Sequence, residues 1–389
     1  MEMLEIILWF SLLGLAFIYI GYGLLVTVMN ILKSVPVELV QNDDELPTMA
    51  ILIAAYNEED FIQKKIENTL ALNYPEGIVR IYVVTDGSND RTNELVAQFE
   101  GVTLLYQPAR RGKTAAINRS MPLIGESITV FTDANVMISK DALREIVKHY
   151  NRSNVGGVSG EKVVMHDDRS TSASTEGLYW KYESYLKKQD ALLCSIAGAA
   201  GELFSIRTKL FEPLPEDTLL DDFAISLNVI RKGYNVKYEP AALAFEHPSA
   251  NIDEEYKRKV RIAAGGLQTI FRSMDINNPF RYGIFSFQYI FHRISRWTVA
   301  PVLIVAAFIC NLALITQSTG YLELFAAQVI FHALALVSWY LGKRQIKVRG
   351  LYVPFYFDFM HYCVVMGWLR YFKGNQKVTW QKATRLSYN

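Results

Sequence analysis

The stretch that decides the fold is residues 49–58, which read MAILIAAYNE. Seven apolar residues in a row give way abruptly to polar ones, a pattern typical of a strand buried on both faces of a parallel sheet. The following segment, Glu59 to Leu72, places Ile62, Ile66 and Leu70 on one helical face. A buried strand followed by an amphipathic helix is the repeating unit of an α/β fold.

The same unit recurs further along the chain. Strand patterns at 80–85, 102–106 and 128–132 alternate with helical patterns at 92–99 and 114–121. We therefore predict an α/β fold with an open, Rossmann-like, mostly parallel sheet. In such sheets ligands bind beyond the carboxyl ends of the strands. The residues that close the strands here are polar, namely Asn57, Glu58, Asp86, Asp133 and Asn135.

Three long uncharged runs flank this region. The first lies between Ile6 and Leu32, and two more occupy 297–322 and 324–342. About 20 apolar residues suffice to cross a bilayer. The first run follows acidic residues and precedes no small-residue cleavage site, which favours a retained transmembrane helix over a signal peptide. We predict three membrane-spanning helices.

The predicted organisation follows from these runs. It comprises a transmembrane helix at 1–33, a soluble domain at 47–275, an interfacial segment at 276–296 and two transmembrane helices at 297–342. Two interpretations stay open for 350–372, an interfacial or re-entrant segment and a further span, and 373–389 is expected to be a cytosolic tail. Basic residues beside the spans predict a multi-pass protein of the inner or plasma membrane with a cytosolic central domain. A net charge of +1 argues against nucleic acid as the main partner.

The polar strand ends suit the chemistry of a nucleotide sugar. Asp133-Ala134-Asn135 could present oxygen ligands to Mg²⁺ or Mn²⁺ bound to a diphosphate. Asp86 could accept a hydrogen bond from a base or ribose, and Lys113 could reach phosphate or the base. Asp221-Asp222 opens a predicted helix, where simple stabilisation of the helix start is the alternative to a catalytic role.

Four motifs together resemble the family 2 glycosyltransferases. They are AAYNEE at 54–59, DGSND at 86–90, TDAN at 132–135 and LDD at 220–222. Their order and spacing are similar to those of the inverting, membrane-integrated branch that includes hyaluronan, cellulose and poly-N-acetylglucosamine synthases. Each motif alone is common, whereas four in register are specific. The resemblance covers about residues 48–270 and implies the GT-A fold.

The resemblance also implies roles for individual residues. Asp222 would be the general base, with Asp221 in place of the family's Glu. Asp133 and Asn135 would contact ribose or metal, Asn135 replacing the family's second acid. Gly198 and Gly201 lie in a stretch, Ser195–Glu202, that resembles the lining of the acceptor site, a tight turn being the alternative. The donor nucleotide sugar would be bound by Ala55, Tyr56, Glu58, Asp86, Lys113 and Ala134.

Two elements depart from the family pattern. Polymerising members carry Gln-x-x-Arg-Trp, and the corresponding segment here keeps Arg261 but holds Arg258 and Ile262 at the Gln and Trp positions. Arg258 and Arg261 are expected either to neutralise the diphosphate or to face lipid phosphates. In the tail, Trp380 and Arg385 resemble an element that closes over the nucleotide in hyaluronan synthases, with a membrane-surface anchor as the alternative.

The sequence therefore predicts an inverting transferase. It would move a sugar from a nucleotide diphosphate sugar, with UDP as the family's usual nucleotide, to a saccharide or lipid-linked acceptor at the membrane. Two alternatives remain open. One is transfer of a single sugar to a polyprenyl-phosphate carrier, which the loss of the Gln and Trp favours. The other is a membrane scaffold that binds nucleotide sugars without turning them over.

Overall fold

A computed structural model describes residues 1–33, 46–165, 173–249, 251–344, 348 and 350–374, with the backbone alone for 173–179. Within these ranges one mixed sheet of eight strands forms the centre of the soluble domain. Its strands are β1 Met49–Ala55, β2 Val79–Asp86, β3 Val102–Gln107, β4 Ile128–Asp133, β5 Met137–Ile138, β6 Val155–Val164, β7 Phe204–Arg207 and β8 Asn235–Glu246.

The spatial order of the strands is β3-β2-β1-β4-β7-β6-β8-β5. The first four are mutually parallel, and β1 lies in the middle with every residue buried. Ala55 of β1 pairs with Thr85 of β2, and Ala54 pairs with Asp133 of β4. The polar residues that close these strands therefore meet at one edge of the sheet. The predicted fold class, a GT-A-type sheet that is mostly parallel, is confirmed.

The second half of the sheet is mixed. Strand β7 runs antiparallel to both β4 and β6, while β6 and β8 are parallel to each other. The short strand β5 pairs antiparallel with β8 at the edge. Because β7 directly follows residues 195–202, that stretch lies beside the carboxyl end of β4.

Helices cover both faces of the sheet. Even-numbered residues of β1 join one core cluster with Ile117 and Phe223, and odd-numbered residues join another with Ile62 and Ile66. This alternation follows from the two-residue period of a strand. Burying one Ile side chain contributes about 1.5–3 kcal/mol. The helices of the soluble domain are α3 Ile62–Leu70, α4 Thr92–Ala97, α5 Lys113–Ser120, α6 Ala142–Val147, α7 Ala173–Leu193, α8 Asp221–Arg231 and α9 Ile252–Arg272; α1 Glu2–Ala16 and α2 Tyr22–Leu32 precede them.

Among the described residues, three helices are long and apolar enough to cross a membrane, at Glu2–Leu32, Ile284–Leu314 and Thr319–Lys343. Large apolar side chains on them remain exposed, such as Phe10 at 69% and Ile31 at 77%, as expected of surfaces that face lipid. The protein is therefore associated with a membrane. The elements beyond the soluble domain are α10 Pro279–Tyr282, α11 Ile284–Gln288, α12 Ala300–Leu314, α13 Thr319–Lys343 and α14 Tyr352–Phe372, with π-helical turns at Phe17–Gly21 and Tyr289–Val299.

The second of these long helices begins at Ile284, whereas the sequence placed an interfacial segment up to residue 296. Its first turns carry the polar residues Gln288, His292, Arg293 and Arg296, which are bound to the soluble domain. The stretch 276–296 is thus helical for much of its length and packs on protein.

Helix α14 occupies the segment for which two interpretations were open. Gly367 lets it approach α9, since a Cβ there would lie 2.6 Å from Cβ of Ala263. Its other half contacts α13, where Asp358 and His332 lie 2.8 Å apart. Of the expected tail, Lys373 and Gly374 are described, and Trp380 and Arg385 lie outside the described residues.

Candidate active site

Asp86 is buried at the end of β2 and organises the segment that precedes α5. Its carboxylate accepts hydrogen bonds from the backbone N–H groups of Arg111 at 3.0 Å and Gly112 at 2.6 Å. The Arg119 guanidinium lies 3.7 Å away. Gly112 has φ +100°, a conformation that favours glycine. Asp86 therefore fixes the loop that leads to Lys113, and a carboxylate retains further lone pairs for a ligand.

The end of β1 continues into a loop braced against residues 88–92. The Arg110 guanidinium lies 3.6 Å from the centre of the Tyr56 ring, a close cation–π contact. The backbone N–H of Glu58 donates to the Thr92 hydroxyl at 2.8 Å. Ala55 is buried at the strand end. The predicted nucleoside-binding residues of β1 and β2 thus lie on neighbouring segments.

An acidic cluster, formed by Asp133, Asp221 and Asp222, lies at the carboxyl end of β4 and the start of α8. Lys113 Nζ bridges Asp133 Oδ1 at 2.8 Å and Asp221 Oδ2 at 3.3 Å. Burial works against the charged lysine, but Asp133 and Asp221 outweigh it and raise the pKa of Lys113. Residues from β4, α5 and α8, far apart in sequence, are therefore brought together around one ammonium group.

Asp222 occupies the first turn of α8 within this cluster. Its Oδ1 accepts a hydrogen bond from the backbone N–H of Phe223 at 2.8 Å. Removal from bulk water, together with the neighbouring charge of Asp221, raises the pKa of Asp222 to about 7, although Lys113 opposes the shift. A carboxyl group with a pKa near neutrality can accept a proton at physiological pH more effectively than an ordinary aspartate.

Residues 195–202, which we term the acceptor loop, lie against the start of α8. A Cβ on Gly201 would be 3.1 Å from Oδ2 of Asp222, and one on Gly198 would be 2.7 Å from the Phe223 ring. Gly198 also has φ +107°. Both glycines therefore allow the loop to pack closely against the start of α8. This geometry is compatible with both interpretations of the stretch, an acceptor-site lining and a tight turn.

The fit of a divalent cation can be judged from Asp133, Ala134 and Asn135. Asn135 is buried, and its amide nitrogen has no hydrogen-bond partner among the described residues. No group of three or more His, Cys, Asp or Glu side chains suited to a metal occurs in the part of the chain that the structure describes. Mg²⁺ is commonly held by one or two carboxylates together with substrate phosphates. The residues thus fit a cation that arrives with a diphosphate.

The two arginines of α9 have different surroundings. Arg258 pairs with Glu246 at 3.3 Å and with Glu255 at 3.4 Å. Burial lowers the pKa of Arg261, while the charges of Asp133, Asp221 and Asp222 favour its charged form. Arg261 is thus in electrostatic range of the acidic cluster, whereas Arg258 belongs to a separate set of ion pairs.

Trp297 lies across α9 one turn beyond the segment where the family's Trp is replaced by Ile262. A Cβ on Gly266 would overlap the Trp297 ring at 1.2 Å, so the ring packs directly on the helix backbone. Its edge also meets the ring of Phe223 at a centroid distance of 6.1 Å.

Sequence reasoning missed a buried ionic group beside the acceptor loop. Lys162 of β6 is 1% exposed and bonds Glu202 at 2.8 Å and, closely, Glu246. Burial alone would raise the pKa of Glu202, but Lys162 lowers it below its usual range. Glu202 was visible in the quoted stretch, whereas nothing near Lys162 in sequence signals partners 40 and 84 residues away.

With this geometry in place, comparison with known proteins identifies the class. Residues 50–214 match the profile of "Glycosyl transferase family 2". The matched region is therefore similar to the family that the four motifs indicated, over a little more than two fifths of the chain.

Among curated proteins, the chain is similar to synthases of one polysaccharide. The poly-beta-1,6-N-acetyl-D-glucosamine synthase of Staphylococcus aureus (strain MSSA476) is 26% identical over 243 residues, 59% of this chain and 57% of the relative. The same enzyme of Staphylococcus epidermidis is 24% identical over 231 residues, 58% of this chain and 56% of the relative. The chain thus matches a little over half the length of these relatives.

A solved structure shares the fold. The mannosyltransferase PcManGT from Pyrobaculum calidifontis, in complex with GDP-Man and Mn²⁺, superposes with a TM-score of 0.71 over 96% of this chain and 100% of that chain. At 20% sequence identity this similarity shows that the two chains share a fold, and nothing about their substrates.

Proposed function

We propose that this chain is an inverting glycosyltransferase that moves a sugar from a nucleotide diphosphate sugar, preferably a UDP-sugar, to a membrane-associated saccharide. The observation that carries the proposal is the convergence of Asp133, Lys113, Asp221 and Asp222, with the pKa of Asp222 raised to about 7. A near-neutral carboxyl beside the Lys113 ammonium group suits removal of a hydroxyl proton next to a departing phosphate.

In the proposed reaction Asp222 accepts the proton of the acceptor hydroxyl. The hydroxyl oxygen forms a bond to the anomeric carbon as the bond from that carbon to the diphosphate breaks. The nucleoside diphosphate leaves with the electron pair, and its added charge is stabilised by Lys113 and Arg261. One displacement inverts the anomeric centre, so an α-linked donor gives a β-glycoside.

The donor's nucleotide would lie at the ends of β1 and β2. Tyr56 with Arg110 offers an aromatic and cationic surface, and Asp86 with Glu58 offers acceptors for base and ribose. Ala55 and Ala134 are buried at the adjacent strand ends, where small side chains leave room for the ligand. Trp380 and Arg385 remain predicted to close over it.

A divalent cation, Mg²⁺ or Mn²⁺, would be held by Asp133 and Asn135 together with the donor. When bound it would supply positive charge to the diphosphate. The amide oxygen of Asn135 would contribute no charge, so the protein's own cations Lys113 and Arg261 would carry more of the neutralisation than they would beside a second acid. The amide nitrogen of Asn135, which has no partner among the described residues, is a hydrogen-bond donor and so supports an acceptor such as a phosphate oxygen of the donor at this point.

The acceptor is proposed to be a saccharide or lipid-linked saccharide at the membrane. Three apolar helices in the described part of the chain flank the domain, and the relatives named above are poly-beta-1,6-N-acetyl-D-glucosamine synthases. Lys33 after the first helix and Lys343 at the end of the third support a multi-pass arrangement in a cell membrane with the soluble domain in the cytosol.

The experiment is to incubate the purified full chain in lipid with a panel of nucleotide sugars plus Mg²⁺ or Mn²⁺. Release of one nucleoside diphosphate with incorporation of the sugar into product is expected. Product sizing then separates a polymer ladder from a single lipid-linked sugar. Nucleotide-sugar binding with no release for any donor would overturn the proposal and favour the scaffold.

A further inference from the structure

The acceptor loop is held from two sides. On the side of α8, the backbone N–H of Ala199 donates to Ser226 Oγ at 3.0 Å, and that hydroxyl donates to the Asp222 carbonyl at 2.7 Å. On the opposite side the loop meets the first turns of the helix Ile284–Leu314. There Arg293 Nε donates to the carbonyl of Ala197 at 2.7 Å.

Arg293 is itself anchored in a buried ionic group. Its guanidinium lies 3.2 Å from Oε1 of Glu183, a residue of α7 that is 2% exposed. Burial opposes ionisation of Glu183, but His292 and Arg293 lower the pKa of its carboxyl well below the usual range. The ion pair with Glu183 therefore holds the Arg293 guanidinium in one orientation, in which it donates to the Ala197 carbonyl.

The residue after Ala197 is Gly198, whose close approach to Phe223 leaves little room for movement. Three residues later Gly201 lies against the Asp222 carboxylate. A shift of the Ala197 carbonyl therefore changes the gap between Gly201 and Asp222, which is where a hydroxyl must approach. In close-packed protein such displacements are transmitted rather than absorbed.

We infer that Arg293 is a positioning residue that sets the acceptor loop against Asp222, so that the start of a membrane-spanning helix completes the acceptor side of the site. This inference rests on the proposed transferase function. The helix Ile284–Leu314 would then help to shape the catalytic site in addition to anchoring the protein in the membrane. Loss of the contact should let water compete with the acceptor while donor binding continues.

The test compares Arg293→Met with Arg296→Met in the full chain reconstituted in lipid. Arg296 is a matched control because it lies on the same helix and bonds Oε2 of the same Glu183 at 3.2 Å, and it also contacts Tyr182 and Tyr19. Arg293→Lys provides the conservative variant. Two quantities are measured, namely amide hydrogen exchange at Ala199 and Ala200 and the ratio of donor hydrolysis to sugar transfer.

For Arg293→Met we expect exchange at these amides to rise roughly tenfold, as for loss of a charge-assisted hydrogen bond. The ratio of hydrolysis to transfer should rise by about the same factor, with the donor KM unchanged. Arg296→Met should leave both quantities within about twofold of wild type, and Arg293→Lys should restore part of each.

Equal effects of the two Met variants, or unchanged exchange in Arg293→Met, would overturn the inference. If wild-type protein releases no nucleoside diphosphate from any donor, the transferase proposal fails on its own. The exchange measurement still decides in that case whether Arg293 positions the loop. The two failures are thus distinguishable.

Discussion

The proposed nucleotide side and the proposed acceptor side of the site are built in different ways. On the nucleotide side, residues at the ends of β1, β2 and β4 meet because three parallel strands end in register. On the acceptor side, the acceptor loop contacts α8 and the long apolar helix Ile284–Leu314, with the buried ion pair of Lys162 and Glu202 beside it. One side is organised by the sheet and the other by contacts between distant segments.

This difference predicts how the two sides respond to mutation. A change at a strand end removes a ligand contact and leaves the sheet intact. A change on the acceptor side removes either the chemical step or the support of a loop that has no regular hydrogen bonding of its own. Nucleotide-side variants should therefore affect the donor KM, and acceptor-side variants should affect kcat or stability.

The largest expected effect is that of Asp222→Asn, which removes the proposed base while keeping the shape. We expect kcat to fall about 10³-fold, within the range that a general base contributes, with the donor KM little changed. Initial rates of nucleoside diphosphate release measure both quantities. Asp217→Asn is the control, because Asp217 precedes the same helix but bonds Arg272 at 2.6 Å. A variant that turns over donor as fast as wild type would contradict the assignment of Asp222.

The two sides were not equally predictable from the sequence. The run of apolar residues in β1 and the acids that close β2 and β4 are local patterns, and parallel pairing alone brings Asp86 and Asp133 to one edge. The bridge of Lys113 to Asp133 and Asp221 required α8 to dock beside β4, which only family resemblance could suggest.

The acceptor side depended on contacts that no local pattern encodes. Lys162 occupies β6, a strand that the sequence did not single out, and its charge is compensated only by the folded chain. Arg293 falls within the segment 276–296 that the sequence predicted to be interfacial. Nothing in the local pattern indicates its contacts with Glu183 and Ala197. Long-range pairing of buried charges is specified by tertiary packing, and sequence periodicity carries no record of it.

The second prediction addresses the stability of the acceptor side. Lys162→Met leaves Glu202 and Glu246 buried without their shared cation, and we expect the free energy of unfolding to fall by about 3 kcal/mol. Denaturation of the full chain in lipid, followed by tryptophan fluorescence, measures this. Lys148→Met is the control: its surface pair with Glu145 should contribute less than about 0.5 kcal/mol. Equal stability of the two variants would show that the buried group does not support this side.

The third prediction concerns the nucleotide side. Asp86→Asn retains the shape but removes the charge that accepts from Arg111 and Gly112 and lies beside Arg119. We expect the donor KM to rise roughly tenfold, the equivalent of about 1.4 kcal/mol, with kcat nearly unchanged. Asp141→Asn, at a surface hydrogen bond to Asn73, should leave both parameters unaltered. A fall in kcat alone would erase the distinction between the two sides.

The fourth prediction is the pH dependence of the acceptor side. Because Asp222 must be ionised to act as a base, kcat/KM should fall tenfold per pH unit below about 7 and level off above it. Asp86→Asn should keep this profile, because it alters the other side of the site. A flat profile between pH 5.5 and 8, a range of about two and a half units around the expected pKa, would remove Asp222 from the proton-transfer step.

The same group gives a stability signature of opposite sign to that of an ordinary buried salt bridge. A carboxyl with a folded pKa of about 7 and an unfolded pKa of about 3.9 binds more protons when folded between these values, so stability declines as pH rises through them. The Asp222→Asn variant carries no such charge, so its free energy of unfolding should exceed that of wild type at pH 8. We expect a difference of about 2 kcal/mol, less than the full pKa shift implies, because partial exposure of Asp222 to solvent screens its charge. Near pH 4 the two proteins should be equally stable. A variant that is both inactive and more stable at pH 8 identifies Asp222 as a charge held at an energetic cost for catalysis, whereas a destabilised variant would assign it to support of the α8 start.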